Sequence, residues 1–169
     1  EIIYDGKNVT KMKANDRCRL GIGRTYQVPR PFEGMSVFEN CLVAAVHGAG
    51  HSEKEGRRVA LEALKLTELY DKREVRAGEL TLLDRKRLEI ARALGTEPKL
   101  LLLDEVAAGL TEAEVKDVMK MVATLKDAGY SIIWIEHVIE TMVKSTDTLM
   151  CMAQGSNLVD VYSIDGRLL

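Results

Sequence analysis

The sequence has no long apolar run. The longest, Cys41 to Val46, is far short of the roughly 20 residues a membrane-spanning helix needs, and no amino-terminal signal pattern is visible. Any membrane involvement is therefore expected to come from another chain. Cysteine is scarce: Cys18, Cys41 and Cys151 are odd in number, far apart and without a CxxC pair, which excludes a disulfide framework or zinc ribbon and points to a reducing compartment. Charge of one sign is missing too. With 24 Lys and Arg against 26 Asp and Glu, and basic residues clustered only at Arg85-Lys86-Arg87, there is no broad electrostatic footprint for nucleic acid. Low-complexity tracts are absent, and 46% hydrophobic with 30% charged residues fits a globular domain.

What is present fills one domain of 169 residues, large enough to bury a substantial core. The chain opens on Glu1 and passes at once into a strand-like run, which predicts a fragment or processed product. Ile2 to Tyr4 and Lys7 to Val9 flank Asp5-Gly6, a dipeptide suited to a tight hairpin turn. A helix-like stretch leads to Gly21-Ile22-Gly23; Arg24 to Gln27 is predicted as a strand, ended by Pro29 and Pro31. Three capping-box patterns, Ser36/Glu39, Ser52/Glu55 and Thr111/Glu114, open predicted helices, and residues 36–94 are expected to be mainly helical. Val115, Val118, Met119, Val122 and Leu125 form one helix face stopped at Gly129. Lys99 to Leu103, Ile132 to Ile135 and Leu149 to Ala153 read as buried strands with a short helix, Val138 to Lys144, between the last two. The order predicts a doubly wound α/β fold.

Chemistry concentrates at the strand ends. Leu100-Leu101-Leu102-Leu103-Asp104-Glu105 puts two carboxylates at the carboxyl end of a buried strand, where open α/β sheets bind ligands. One acid can support Mg²⁺ through its water shell while the other directs an attacking water. The next strand ends in Glu136-His137, and Thr25-Tyr26-Gln27 ends another with a neutral amide able to face a cation. Each has a plainer alternative: a solvated acidic turn, a polar loop histidine, an exposed glutamine.

Taken in order, these segments resemble an ABC transporter nucleotide-binding domain, most closely the ATP-binding subunits of branched-chain amino acid importers. Arg24-Thr25-Tyr26-Gln27-Val28-Pro29-Arg30-Pro31-Phe32 and Met35 to Asn40 resemble that group's Q-loop and following helix. Leu88 to Leu94 resembles its signature helix, Pro98 to Leu110 its Walker B strand and D-loop, and Glu136-His137 its H-loop. The resemblance implies a partial P-loop NTPase core with a parallel sheet and an inserted α-helical subdomain. Residues 1–30 would run to the Q-loop, 31–95 would form the helical subdomain, and 96–169 would carry Walker B, D-loop and H-loop. It further implies ATP and Mg²⁺ as ligands, Glu105 as general base, His137 as γ-phosphate contact, Asp104 and Gln27 at the metal, and Thr81 with Gln27 at the nucleotide. A second ABC ATPase subunit, identical or different, and membrane-spanning permease subunits would be the partners. The place of work would be the cytoplasmic face of the cell membrane, with no nucleic acid involved.

The pattern also breaks. The signature segment is Leu80-Thr81-Leu82-Leu83-Asp84: Thr81 keeps a hydroxyl, but Leu83 replaces a glycine and Asp84 brings a negative charge toward an anion site. Thr81 and Asp84 equally suit a capping box. Val106 stands where a proline is usual. No GxxxxGK[ST] pattern occurs in these residues, so the isolated chain is expected to be inactive, and without the strand that would carry it beside the H-loop strand an apolar edge is expected to be exposed. A catalytically inactive binding or assembly module is the competing class. The tail Asn157 to Tyr162 reads as a terminal hairpin, or as the opening strand of another ABC domain with Tyr162 stacked on adenine.

Overall fold

Four consecutive leucines after Pro98 form a strand because they can be covered by neighbours on both edges and by a helix layer. In a computed structural model, which describes residues 1–136, 146–152 and 159–163, this run is β4 (Leu100–Asp104). It pairs in parallel with β3 (Ile22–Arg24) on one edge and β5 (Ser131–Ile135) on the other. Leu101, Leu103 and Trp134 point to the buried face. Ile133 and Ile135, on the opposite face of β5, are 54% and 60% exposed. The chain divides into two units, Glu1–Ile135 and Glu136–Leu169.

The first unit begins with the expected hairpin: β1 (Ile3–Tyr4) and β2 (Lys7–Asn8) pair antiparallel, with Asp5 and Gly6 at φ 49° and 72°. The short α1 (Ala14–Arg19) follows. The next strand starts earlier than expected, at Ile22 rather than Arg24, and Gln27 lies beyond its ladder. The cause is Gly23: a Cβ there would stand 3.0 Å from Pro98 Cβ and 3.3 Å from the Ala93 carbonyl, so glycine lets β3 lie directly against the entry to β4.

Helices fill the middle of the chain. In α2 (Val37–Val43) the Ser36/Glu39 box closes in both directions, and a π-helical turn, Ala44–Ala49, continues it to Gly50 at φ 82°. Ser52 caps α3 (Glu53–Leu66) by accepting from the Glu55 amide, but the Glu55 carboxylate turns to Arg58 at 2.5 Å, so this box is half made. With α4 (Leu82–Leu94) these helices enclose a core of Val37, Cys41, Leu64, Leu69 and Leu88. Thr111 and Glu114 form a full box at the start of α5 (Glu112–Asp127), which buries Val118, Met121, Val122 and Leu125. Met119, expected on that face, is half-buried, and Met121 takes the inner place.

In the second unit β6 (Thr148–Met152) is a strand where one was expected, but it is not a further parallel strand of the β3-β4-β5 sheet. It pairs antiparallel with β7 (Val159–Ser163), residue Met150 facing Val161. A short connection favours this local pairing, because a parallel neighbour needs a long crossover. The predicted helix Val138 to Lys144 and His137 lie outside the described residues.

Candidate functional site

Parallel strands deliver their carboxyl ends to one place, and here the ends of β3 and β4 bring Arg24 to Gln27 beside Asp104 and Glu105. Buried Thr25 joins the two: its amide donates to the Leu102 carbonyl at 3.0 Å, and its hydroxyl oxygen accepts from the Asp104 amide at 3.1 Å. Gln27 Nε2 donates to Glu105 Oε2 at 2.6 Å. Arg24 Nη2 donates to Asp104 Oδ2 at 3.0 Å. The Arg24 side of this ion pair is solvated, so the pair is weak.

Glu105 sits at φ 45°, the left-handed region that costs a non-glycine residue about 1–3 kcal/mol unless neighbours hold it. They do. Its amide donates to the Ile135 carbonyl at 2.9 Å, and its own carbonyl accepts from the Ala108 amide at 3.1 Å and from Lys86 Nζ at 3.0 Å. Lys86, on α4 and only 3% exposed, also donates to the Gln27 carbonyl at 2.8 Å.

The start of α4 answers the question posed by Asp84. Thr81 is the helix N-cap, its hydroxyl oxygen accepting from the Asp84 amide at 3.3 Å. The Asp84 carboxylate does not turn back to close the box. It is buried against the Lys72 ammonium, with Arg87 Nη1 at 3.6 Å, so its charge is neutralised away from the helix tip. Leu82, 44% exposed, occupies the first helical position, and its Cδ2 lies 3.4 Å from where a Cβ on Gly109 would be. Gly109, at φ 78°, permits that approach in the turn after Glu105.

The segment after Gln27 is fastened from below. Asn40, fully buried on α2, accepts from the Phe32 amide at 2.8 Å and donates to the carbonyls of Phe32 and Ser36 at 3.1 and 2.9 Å. Arg92 donates to the Arg30 carbonyl at 2.8 Å, and its guanidinium stands 5.0 Å from the Phe32 ring centre. Glu89, also buried, accepts from the Arg30 amide at 3.4 Å and from Arg92 at 3.1 Å.

Of the residues singled out from sequence, Gln27, Asp104 and Glu105 thus come together, Thr81 stands apart as a helix cap, and His137 lies outside the described residues. Lys86, Asn40 and Thr25 were not foreseen. The signal for the first two was a polar residue inside a helix's apolar register: Asn40 between Val37 and Cys41, and Lys86 one turn before Ile90. Among the described residues no cluster of three or more His, Cys, Asp or Glu forms a metal cage. Two carboxylates and an amide suit Mg²⁺, which keeps much of its water and takes only one or two carboxylates.

A parallel sheet with acids and a glutamine at its carboxyl edge, backed by a helical layer that grips the glutamine loop, is the architecture of an ATP-binding cassette. A nucleotide-free cassette from an ABC transporter superposes with a TM-score of 0.82 at 28% identity, covering 97% of this chain and 68% of that one. The ADP conformation of another ABC transporter cassette gives 0.81 at 28% identity, with 95% and 67% covered. The family model described as ABC transporter matches residues 1–108, and the chain belongs to that family. A probable branched-chain amino acid transport ATP-binding protein LivG of Archaeoglobus fulgidus is 33% identical, over 95% of this chain and 66% of its own length. The high-affinity branched-chain amino acid transport ATP-binding protein LivG of Escherichia coli K12 is also 33% identical, over 94% and 68%. The chain therefore spans about two thirds of the length of the curated relatives it matches.

Proposed function

We propose that these residues belong to the ATP-hydrolysing subunit of an ABC importer for branched-chain amino acids. The observation that carries this is the Gln27 amide bonded to the Glu105 carboxylate at 2.6 Å, beside Asp104, at the carboxyl ends of adjacent parallel strands. In this scheme Glu105 is the general base that takes a proton from the attacking water, and Gln27 orients its carboxylate and follows the state of the membrane subunit. Asp104 would support Mg²⁺, His137 would contact the γ-phosphate, and Thr81 would face nucleotide held by a second ATPase subunit. Residues 31–95 act as a helical subdomain between two stretches of core, 1–30 and 96–169. No helix among the described residues is long and apolar enough to cross a membrane. Permease subunits, as in the ABC transporter family, would supply the span and hold this subunit at the inner face.

The solute is drawn from the printed functions of the relatives; the chemistry is drawn from the site. A positioned base contributes about 10²- to 10⁴-fold in rate. Glu105→Gln, assayed for ATP turnover in the full-length protein, is expected to lose activity on that scale while retaining nucleotide affinity. Unchanged hydrolysis would sink the assignment. A second reading, a binding or assembly module without catalysis, is favoured by Leu83 in the signature. Hydrolysis by the full-length protein with a partner subunit separates the two readings.

A further inference from the structure

Lys86 is a buried charged residue. A buried ammonium is costly unless its donors are met, and two of its hydrogen bonds go to main-chain carbonyls. The other buried charges of α4 are engaged elsewhere: Asp84 with Lys72 and Arg87, Glu89 with Arg92 and the Arg30 amide. The two carbonyls that Lys86 binds are those of Gln27 and Glu105, the residues whose side chains meet at 2.6 Å. They are separated by 78 positions in sequence and follow different strands.

Main-chain anchoring matters at this spot for a geometric reason. Glu105 holds a left-handed φ of 45°, so its carboxylate points where it does only while the turn after β4 keeps that shape. The Glu105 carbonyl accepts from Ala108 and Lys86, one bond closing the turn from within and one fixing it to α4. Gln27 lies past the last ladder bond of β3, where strand pairing no longer sets its position. Lys86 replaces that missing restraint with a single ammonium shared by both backbones.

We propose that Lys86 is a positioning residue for the hydrolytic pair, setting the Gln27 amide and the Glu105 carboxylate in register and tying both to α4. The same clamp makes the pair responsive to movement of α4, because a shift of that helix pulls on both carbonyls together. The catalytic consequence rests on the function proposed above; the clamp itself does not.

Lys86→Met removes the charge and keeps the length of the stem, and Lys86→Arg restores donors able to bind two carbonyls. Amide hydrogen exchange on the 169-residue chain, without nucleotide, tests the clamp. In the Met variant the Ala108 amide and those of residues 26–28 are expected to exchange at least about 10-fold faster, while Ile90 and Ala91 within α4 keep their protection and Arg returns the parent pattern. Exchange within twofold of the parent at Ala108 overturns the clamp. Collapse of protection throughout α4 overturns it equally, since it would make Lys86 a general packing residue. Steady-state hydrolysis by the full-length protein tests the positioning: the Met variant should lose about 10²-fold in kcat with KM for Mg-ATP within about threefold, and Arg should recover most of it. Undiminished kcat alongside lost Ala108 protection refutes positioning. A parent protein that hydrolyses no ATP refutes the proposed function, and the exchange result still decides the clamp.

Discussion

Replacing Asn40 with Leu should loosen the segment that follows Gln27 without leaving a hole. Leucine keeps the branched shape of asparagine and is the larger side chain, so the change removes the hydrogen bonds that Asn40 makes from full burial while keeping the space filled. Its amide accepts from the Phe32 N–H and donates to the Phe32 carbonyl and the Ser36 carbonyl. The Ser36 carbonyl keeps a partner, because it also accepts the Asn40 main-chain N–H at 3.0 Å. The Phe32 carbonyl likewise keeps the Met35 N–H at 3.0 Å, so only the Phe32 N–H is left without its partner. With one group left unmet, the expected loss is about 1–3 kcal/mol. That is a large fraction of the roughly 5–15 kcal/mol that stabilises a typical domain. Urea unfolding followed by the fluorescence of Trp134, the one tryptophan and a buried one, reads the change directly. Faster exchange of the Phe32 amide locates it. Asn40→Asp sharpens the test: it keeps the acceptor for the Phe32 N–H but sets a carboxylate against two carbonyls, so its penalty grows as pH rises and the acid ionises. A midpoint shift worth less than about 0.5 kcal/mol with intact Phe32 protection would refute the role given to Asn40.

Gly23→Ala forces a Cβ to within 3.0 Å of Pro98 Cβ, and overpacking of this kind is expected to lower stability by about 1–3 kcal/mol in the same assay; a neutral result would mean that β3 and β4 shift apart freely. Burial pushes the Cys41 thiol up to about 12, so in native protein at pH 8 it should resist iodoacetamide while half-buried Cys18 is alkylated. Mass spectrometry of labelled peptides checks this, and equal labelling would contradict the packing around α2. The Thr111 amide and hydroxyl hold the Glu114 carboxyl below its usual range. A group whose pKa is lowered by folding adds stability above its unfolded value, about 4.3, and loses it as pH falls through the folded value. The stability advantage of the parent over Glu114→Gln should therefore be present at pH 7 and fade on acidification below about pH 5. A difference that does not vary with pH would show that the charge plays no part in the cap.

Local rules are enough for much of this chain. The Asp5-Gly6 turn, the boxes at Ser36 and Thr111, the leucine strand ending in Asp104-Glu105 and the α5 stripe are all written in neighbouring residues, so their structures follow from period and capping alone. The pairing of β6 with β7 was less legible, because a short apolar strand carries no mark of its partner. The start of β3 was misjudged for a related reason: the need for glycine at position 23 comes from Pro98 and Ala93, remote in sequence.

The sequence by itself determined which groups are available: two acids after a buried strand, a glutamine after another, and a helix start with a hydroxyl and an acid. Only the tertiary structure decided what those groups meet. Asp84 looked like a charge set against an anion site, yet it is buried against Lys72 and Arg87. Lys86 looked like one of three surface cations, yet it lies inside, bonded to the carbonyls of Gln27 and Glu105. Composition and period are properties of a segment, whereas the partner of a buried charge is set by whichever distant backbone the fold brings within about 3 Å.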